Sequence, residues 1–123
     1  MDPIPLPKDP KHSPCRDVSL IVPTIGFDAD FVVSLRSWLS NHPKEIIIVT
    51  SGPLLDALVG LIQRELSVQE RKTIQILSYP LVNKRRQLVT GIQRATGEIV
   101  FFADDDVFWP PSVLTYMLEG FES

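Results

Sequence analysis

Short apolar runs punctuate the chain, separated by segments whose apolar residues recur every three or four positions. The runs are VSLIV (18–22), EIIIVT (45–50), TIQIL (73–77) and EIVFFA (98–103). Short runs rich in β-branched residues, without polar alternation, predict strands buried on both faces. Between the first two runs, Phe31, Val32, Leu35, Trp38 and Leu39 share one face of a helix, with Asp28 or Asp30 as its N-terminal cap. LLDALVGLIQREL (54–66) predicts a second amphipathic helix. KRRQLVTGIQRAT (84–96) predicts a third, with Leu88, Val89, Ile92 and Ala95 turned inward and Gly97 as its stop. SVLTYMLEGF (112–121) begins another helix after Pro110 and Pro111.

Strands alternating with helices predict an α/β fold: a parallel-stranded, Rossmann-like sheet with helices on both faces. Right-handed crossovers bring the carboxyl ends of the strands to one edge. Ligands of open α/β sheets bind at that edge. The residues delivered there are Thr24, then Thr50 and Ser51, then the segment 78–86, then Asp104 to Asp106.

Residues 1–16 are rich in Pro, Lys and Asp and read as an extended or disordered leader; residues 17–123 form the folded unit. With 123 residues, 44% hydrophobic and 22% charged, the chain suits one soluble globular domain or part of a larger one. Its net charge of -3 gives no reason to expect nucleic acid. No apolar run reaches the length of about 18 residues that spans a bilayer. The N-terminus lacks the apolar core of a signal peptide, so a soluble, cytoplasmic chain is expected. The single cysteine, Cys15, excludes an internal disulfide and has no zinc-site spacing around it. His12 and His42 have no partner spacing either.

Asp104, Asp105 and Asp106 follow the last apolar run directly. In extended backbone alternate residues point the same way, so Asp104 and Asp106 can face one site. Two carboxylates suit a hard divalent cation, Mg2+ or Mn2+, that completes its shell with water and phosphate. Three acids by themselves fit a solvated turn equally well. NKRRQ (83–87) supplies context by opening the third helix with three cations. Cations oppose the helix dipole there, and a bound anion, with Lys84 or Arg85 as donors, would offset that cost. A solvated helix face is the other reading. Both groups on one rim suggest a diphosphate ligand. At least one of Phe108 and Trp109 is expected to pack beneath the acidic turn.

VSLIVPT, PKEIIIVTSG and NKRRQLVTGIQRATGEIVFFADDD, taken together, resemble the inverting family 2 glycosyltransferases of GT-A fold. The resemblance runs from about Asp17 to Pro111, and its spacing is similar to processive hyaluronan, cellulose, chitin and fungal capsule-type polysaccharide synthases. It implies that Asp106 binds the metal bridging a nucleotide diphosphate and that Asp104 contacts the ribose with metal help. It also implies that Lys84 lies near the uracil or diphosphate and that Pro23 and Thr24 border the base. Thr50 and Ser51 stand where the family usually has an Asp that reads uracil, so nucleotide preference stays open. Ile25 stands where Tyr or Phe is common, which loses base stacking or moves it to Phe27.

The implied partners are a nucleotide-sugar donor, UDP-linked, and a glycan or polysaccharide acceptor. The implied cofactor is Mn2+ or Mg2+. The family's catalytic base and acceptor site are expected beyond Ser123, in a membrane-embedded parent whose donor domain faces the cytoplasm. This chain by itself is then expected to bind donor without catalysing transfer. A non-catalytic nucleotide-binding or scaffolding module is the alternative. A haloacid dehalogenase-type phosphatase also carries Asp-x-Asp after an apolar strand. It places the motif on its first strand, however, and has Thr or Val where this chain has Phe108.

Overall fold

A computed structural model describes residues 13–122. The elements run α1 (Pro14–Asp17), β1 (Val18–Thr24), α2 (Asp30–Leu39) and β2 (Glu45–Ser51). A 3-10 turn (Gly52–Leu54) then leads into α3 (Leu55–Glu65), α4 (Val68–Arg71) and β3 (Ile74–Tyr79). The chain ends with α5 (Lys84–Arg94), β4 (Ile99–Phe102) and α6 (Val113–Glu122). Residues 1–12 of the expected leader lie outside the described residues, and Pro14–Asp17 form a single helical turn instead of extended chain.

All strand pairs are parallel and the order is β3-β2-β1-β4. The chain walks from β1 outward to β3, then crosses back to lay β4 on the other side of β1. That reversal creates a topological switch point between β1 and β4, where the connections leave in opposite directions and open a crevice. Right-handed crossovers in opposite directions also put the intervening helices on opposite faces. Leu20, Val22, Ile46, Ile48 and Ile99 pack with Phe31, Leu35 and Trp38 of α2, Leu58 of α3 and Leu114 of α6. On the other face Ile21, Ile47 and Val49 lie under α5, against Leu88 and Ala95.

The inward face of α5 differs from the sequence expectation. Val89 and Ile92 are 47% and 41% exposed, while Gln87 and Gly91 are the buried residues of the helix. A Cβ on Gly91 would lie 2.5 Å from Ile21 Cγ2 and 3.2 Å from Val49 Cγ2. The missing side chain lets the helix backbone come down onto the sheet, and that contact sets the helix's rotation. Gly97 is also not the helix stop, because α5 ends at Arg94 with Ala95 as its cap. A Cβ on Gly97 would meet Asp17 O at 2.5 Å, so this glycine lets the chain pass close to β1. At α2 neither aspartate caps the helix. Ala29 holds the cap position, and Asp28 Oδ1 accepts the Asp30 N–H at 2.9 Å just before it.

At the amino-terminal edge of the sheet, Glu45 Oε2 accepts bonds from Ser19 Oγ (2.5 Å), Thr96 N (2.7 Å) and Thr96 Oγ1 (2.8 Å). Ser19 Oγ in turn accepts the Gly97 N–H at 2.8 Å. These bonds tie the start of β4 to β1 and β2. Burial works to raise the Glu45 pKa, but the bonds from Ser19 and Thr96, with Lys44 nearby, outweigh it and hold the carboxyl below its ordinary value.

Candidate functional site

Side-chain alternation divides the carboxyl ends of the strands between the two faces. Pro23 and Asp104 fall on the α5 side. There a cavity of about 350 Å3 is lined by Pro23, Lys84, Arg85, Leu88, Phe102 and Asp104. Within it Lys84 Nζ lies 3.7 Å from Asp104 Oδ1. Asp105 and Asp106 line a second cavity, about 370 Å3, with Phe27, Asp28, Asp30 and Phe31 on the α2 side. Asp104 and Asp106 therefore open onto different cavities, contrary to the alternation expected of extended chain. The reason is local. Ala103 N still donates to Ile21 O (3.1 Å), but Val107 N donates to Asp104 O (3.2 Å), closing a turn over the acids.

The acidic turn is anchored from behind. Thr24 Oγ1 lies 2.8 Å from Asp105 Oδ2 and 2.7 Å from Gly26 O, so the Thr24 hydroxyl is engaged within the protein. Beyond the turn, Trp109 N donates to Ser37 Oγ (2.9 Å), Asn41 Nδ2 to Pro110 O (3.1 Å), and Leu114 N to Asn41 Oδ1 (2.9 Å). Ser37 and Asn41 are buried polar residues of α2 and the turn after it, and they hold the segment that carries the acids. Trp109 packs into the core beneath it, whereas Phe108 is 60% exposed.

The basic turn is anchored as well. Asn83 caps α5, its Oδ1 accepting the Arg86 N–H at 3.0 Å. Gln87, fully buried, donates from Nε2 to Thr24 O (2.8 Å) and Val49 O (2.7 Å). Arg85 also borders a broader groove of about 580 Å3 with Tyr79, Asn83 and Arg86.

Thr50 and Ser51 are both buried, and neither hydroxyl has a hydrogen-bond partner among the described residues. In phase with Ile46 and Ile48, Thr50 faces the α2 side, and Ser51, in phase with Ile47 and Val49, faces the α5 side. Of the residues singled out from sequence, the structure thus gathers Pro23, Lys84, Arg85 and Asp104 in one cavity. Thr24 and Asp106 lie on the other face. Asp105 and Gln87 were not singled out. The signal for Gln87 was its place four residues after Asn83 and four before Gly91, on one helix face.

The acidic turn offers the carboxylate oxygens of Asp104, Asp105 and Asp106 as metal donors, hard ligands that suit Mg2+ or Mn2+. Among the described residues no three acidic, His or Cys side chains converge on one point. One or two carboxylates completed by substrate phosphate is the usual Mg2+ arrangement, and the turn fits that pattern. Among the described residues no helix is long and apolar enough to cross a membrane.

The sequence profile of "Glycosyl transferase family 2" matches residues 19–123. The chain belongs to this family. The chain is similar to the NDP-glycosyltransferase ltbB of Aspergillus luteorubrus, 40% identical over 98% of this chain and 29% of its own length. A type 2 glycosyltransferase of Zymoseptoria tritici is 38% identical over 98% of this chain and 25% of its own length. The chain thus spans less than a third of the length of these relatives. Among solved structures, the fold is similar to the mannosyltransferase PcManGT of Pyrobaculum calidifontis, in complex with GDP-Man and Mn2+. The TM-score is 0.72 at 23% identity, over 96% of this chain and 35% of that one. Residues 1–349 of S. aureus TarS, in complex with UDP, give a TM-score of 0.61 at 19% identity, over 82% of this chain and 31% of that one. Both likenesses place this family 2 chain in the α/β, Rossmann-like GT-A fold.

Proposed function

We propose that this chain binds the nucleotide-sugar donor of a metal-dependent, inverting glycosyltransferase, with a UDP-sugar as donor. The observation that carries the reading is the meeting of Lys84 and Asp104, 3.7 Å apart, at the switch point between β1 and β4. A cationic helix start and an acidic turn across one cavity suit a ligand that brings both phosphate and a cation. Lys84 and Arg85 bind and orient the diphosphate. Asp104, in the same cavity, takes the ribose side, and Asp106 holds the cation from the other side of the acidic turn, where it opens onto the α2-side cavity. Bound there, Mn2+ or Mg2+ supplies Lewis-acid stabilisation of the charge on the leaving diphosphate.

In the proposed reaction an acceptor hydroxyl attacks the anomeric carbon as the carbon–oxygen bond to the diphosphate breaks. Configuration inverts, and the hydroxyl proton passes to a general base that must lie within hydrogen-bond reach. None of the residues placed here is assigned that role. Recognition of the acceptor, proposed to be a glycan or polysaccharide, likewise draws on none of them. Thr50 and Ser51 carry no charge and lie on opposite faces, so at most one of them meets the base directly. The bound UDP in TarS and the GDP-Man with Mn2+ in PcManGT support a nucleotide-sugar with a metal as the ligand class.

Calorimetric titration of the chain with UDP and with GDP, with and without Mn2+, tests this reading. UDP binding that needs Mn2+ and weakens in Asp106→Ala is the expected result. A folded chain that binds neither nucleotide in Mn2+ contradicts it.

A further inference from the structure

Gln87 is a carboxamide at 0% exposure, sited where α5 starts and where β1 and β2 end. Its Nε2 donates to Thr24 O and Val49 O, and its Oε1 accepts the Asn83 N–H at 3.0 Å. Both amide hydrogens are therefore spent on carbonyls of neighbouring strands. The oxygen is spent on the residue that caps α5. An apolar residue of the same length would fill the space equally well, but it would leave two strand carbonyls and one N–H unmet. It would also release Asn83, whose own side chain holds the first turn of the helix through the Arg86 N–H.

That first turn carries Lys84 and Arg85, which share a cavity with Pro23 and Asp104. Lys84 is attached to the rim through α5, and α5 is registered on the rim by Gln87. One side chain thus links the β1 and β2 ends to the basic turn. We propose that Gln87 is a positioning residue for donor binding: it fixes the start of α5 on the strand ends so that Lys84 and Arg85 meet the diphosphate. This rests on the donor-site reading above. Misplacing Lys84 and Arg85 acts on the phosphate contact, whereas Thr24, which borders the base in this reading, stays held by its strand pairing with Thr50.

The test compares UDP with uridine, in Mg2+, by NMR titration of the whole 123-residue chain. The proteins are wild type, Gln87→Met, Lys84→Ala and the double variant. Gln87→Met should weaken UDP about tenfold, the scale of one charge-assisted hydrogen bond, and leave uridine unchanged. Lys84→Ala should then add little on the Gln87→Met background, because the two act through one contact. Equal weakening of UDP and uridine, or fully additive single effects, makes Gln87 merely structural and overturns the inference. Should Gln87→Met fail to fold, hydrogen exchange in the wild type decides. UDP with Mg2+ should increase protection of the Gln87 side-chain amide and the Asn83 N–H, and unchanged protection overturns the inference. A wild type that binds no UDP removes the donor site itself. A wild type that binds UDP with an unaltered UDP-to-uridine ratio in Gln87→Met removes only the role of Gln87.

Discussion

Lys84 Nζ reaches across from the start of α5 to within 3.7 Å of Asp104 Oδ1, just beyond the end of β4. The two side chains are 40% and 70% exposed. An ion pair so open to water contributes roughly 0–1 kcal/mol to folding. Its interest is its location, since it brackets the crevice where the sheet changes direction.

Lys84→Ala should therefore separate binding from stability. Urea unfolding should move by no more than about 0.5 kcal/mol, the usual range for exposed sites. Affinity for UDP in the presence of Mn2+ should fall about tenfold. A large stability loss with unchanged affinity would make the pair a structural brace.

Thr24 anchors the acidic turn through Asp105. Thr24→Val keeps the shape and removes the hydroxyl, whose single hydrogen lies between the Asp105 carboxylate and Gly26 O. A loss of about 1 kcal/mol is expected, with Thr24→Ser close to wild type. In a double-mutant cycle with Asp105→Ala, the second substitution should cost less once the hydroxyl is gone. Strict additivity of the two would argue against the contact.

Gly91→Ala forces a methyl group to within 2.5 Å of Ile21 Cγ2, on a buried strand with little room to move. Overpacking of this kind costs about 1–3 kcal/mol. Thermal unfolding should show it, and Ile21→Ala in the same chain should recover part of the loss. A neutral Gly91→Ala would mean that α5 sits further from the sheet.

Acid stability should depend on Glu45. Its pKa in the folded chain is lowered, so the carboxylate contributes stability above the pKa of the unfolded state, and that contribution disappears as pH falls through the folded value. Urea midpoints measured down the acid limb should therefore fall less steeply for Glu45→Gln than for wild type, with the variant already less stable at neutral pH. Parallel limbs for the two proteins would contradict the network at Ser19 and Thr96.

The strands and their shared rim were legible because apolar runs such as EIIIVT mark strands, but burial on both faces holds only for β1 and β2, since β3 and β4 are edge strands and only half-buried. Strand order followed less directly, since only the crossover of α5 places β4 beside β1. The face of α5 was misread because periodicity weighs large apolar residues, while the closest contact to the sheet is made by Gly91, which has no side chain. The orientation of the acids was misread because alternation holds only while the ladder lasts. The last ladder-like bond is made by Ala103, and the turn begins at Asp104. Ser37, Asn41 and Gln87 were not singled out from the sequence. Their meaning lies in partners far along the chain, Trp109, Pro110 and Thr24, which local patterning does not report.

The central claim is that the acidic turn, with Asp104 on one cavity and Asp106 on the other, and the start of α5 together hold the diphosphate and its cation. Paramagnetic broadening of backbone amide resonances by Mn2+, with and without UDP, tests it most directly. With UDP present, broadening should centre on residues 104–106 and extend to Lys84 and Arg85, weaken sharply without UDP, and spare the Glu45 end of the sheet. Broadening that ignores UDP, or that centres away from the acidic turn, would contradict the account.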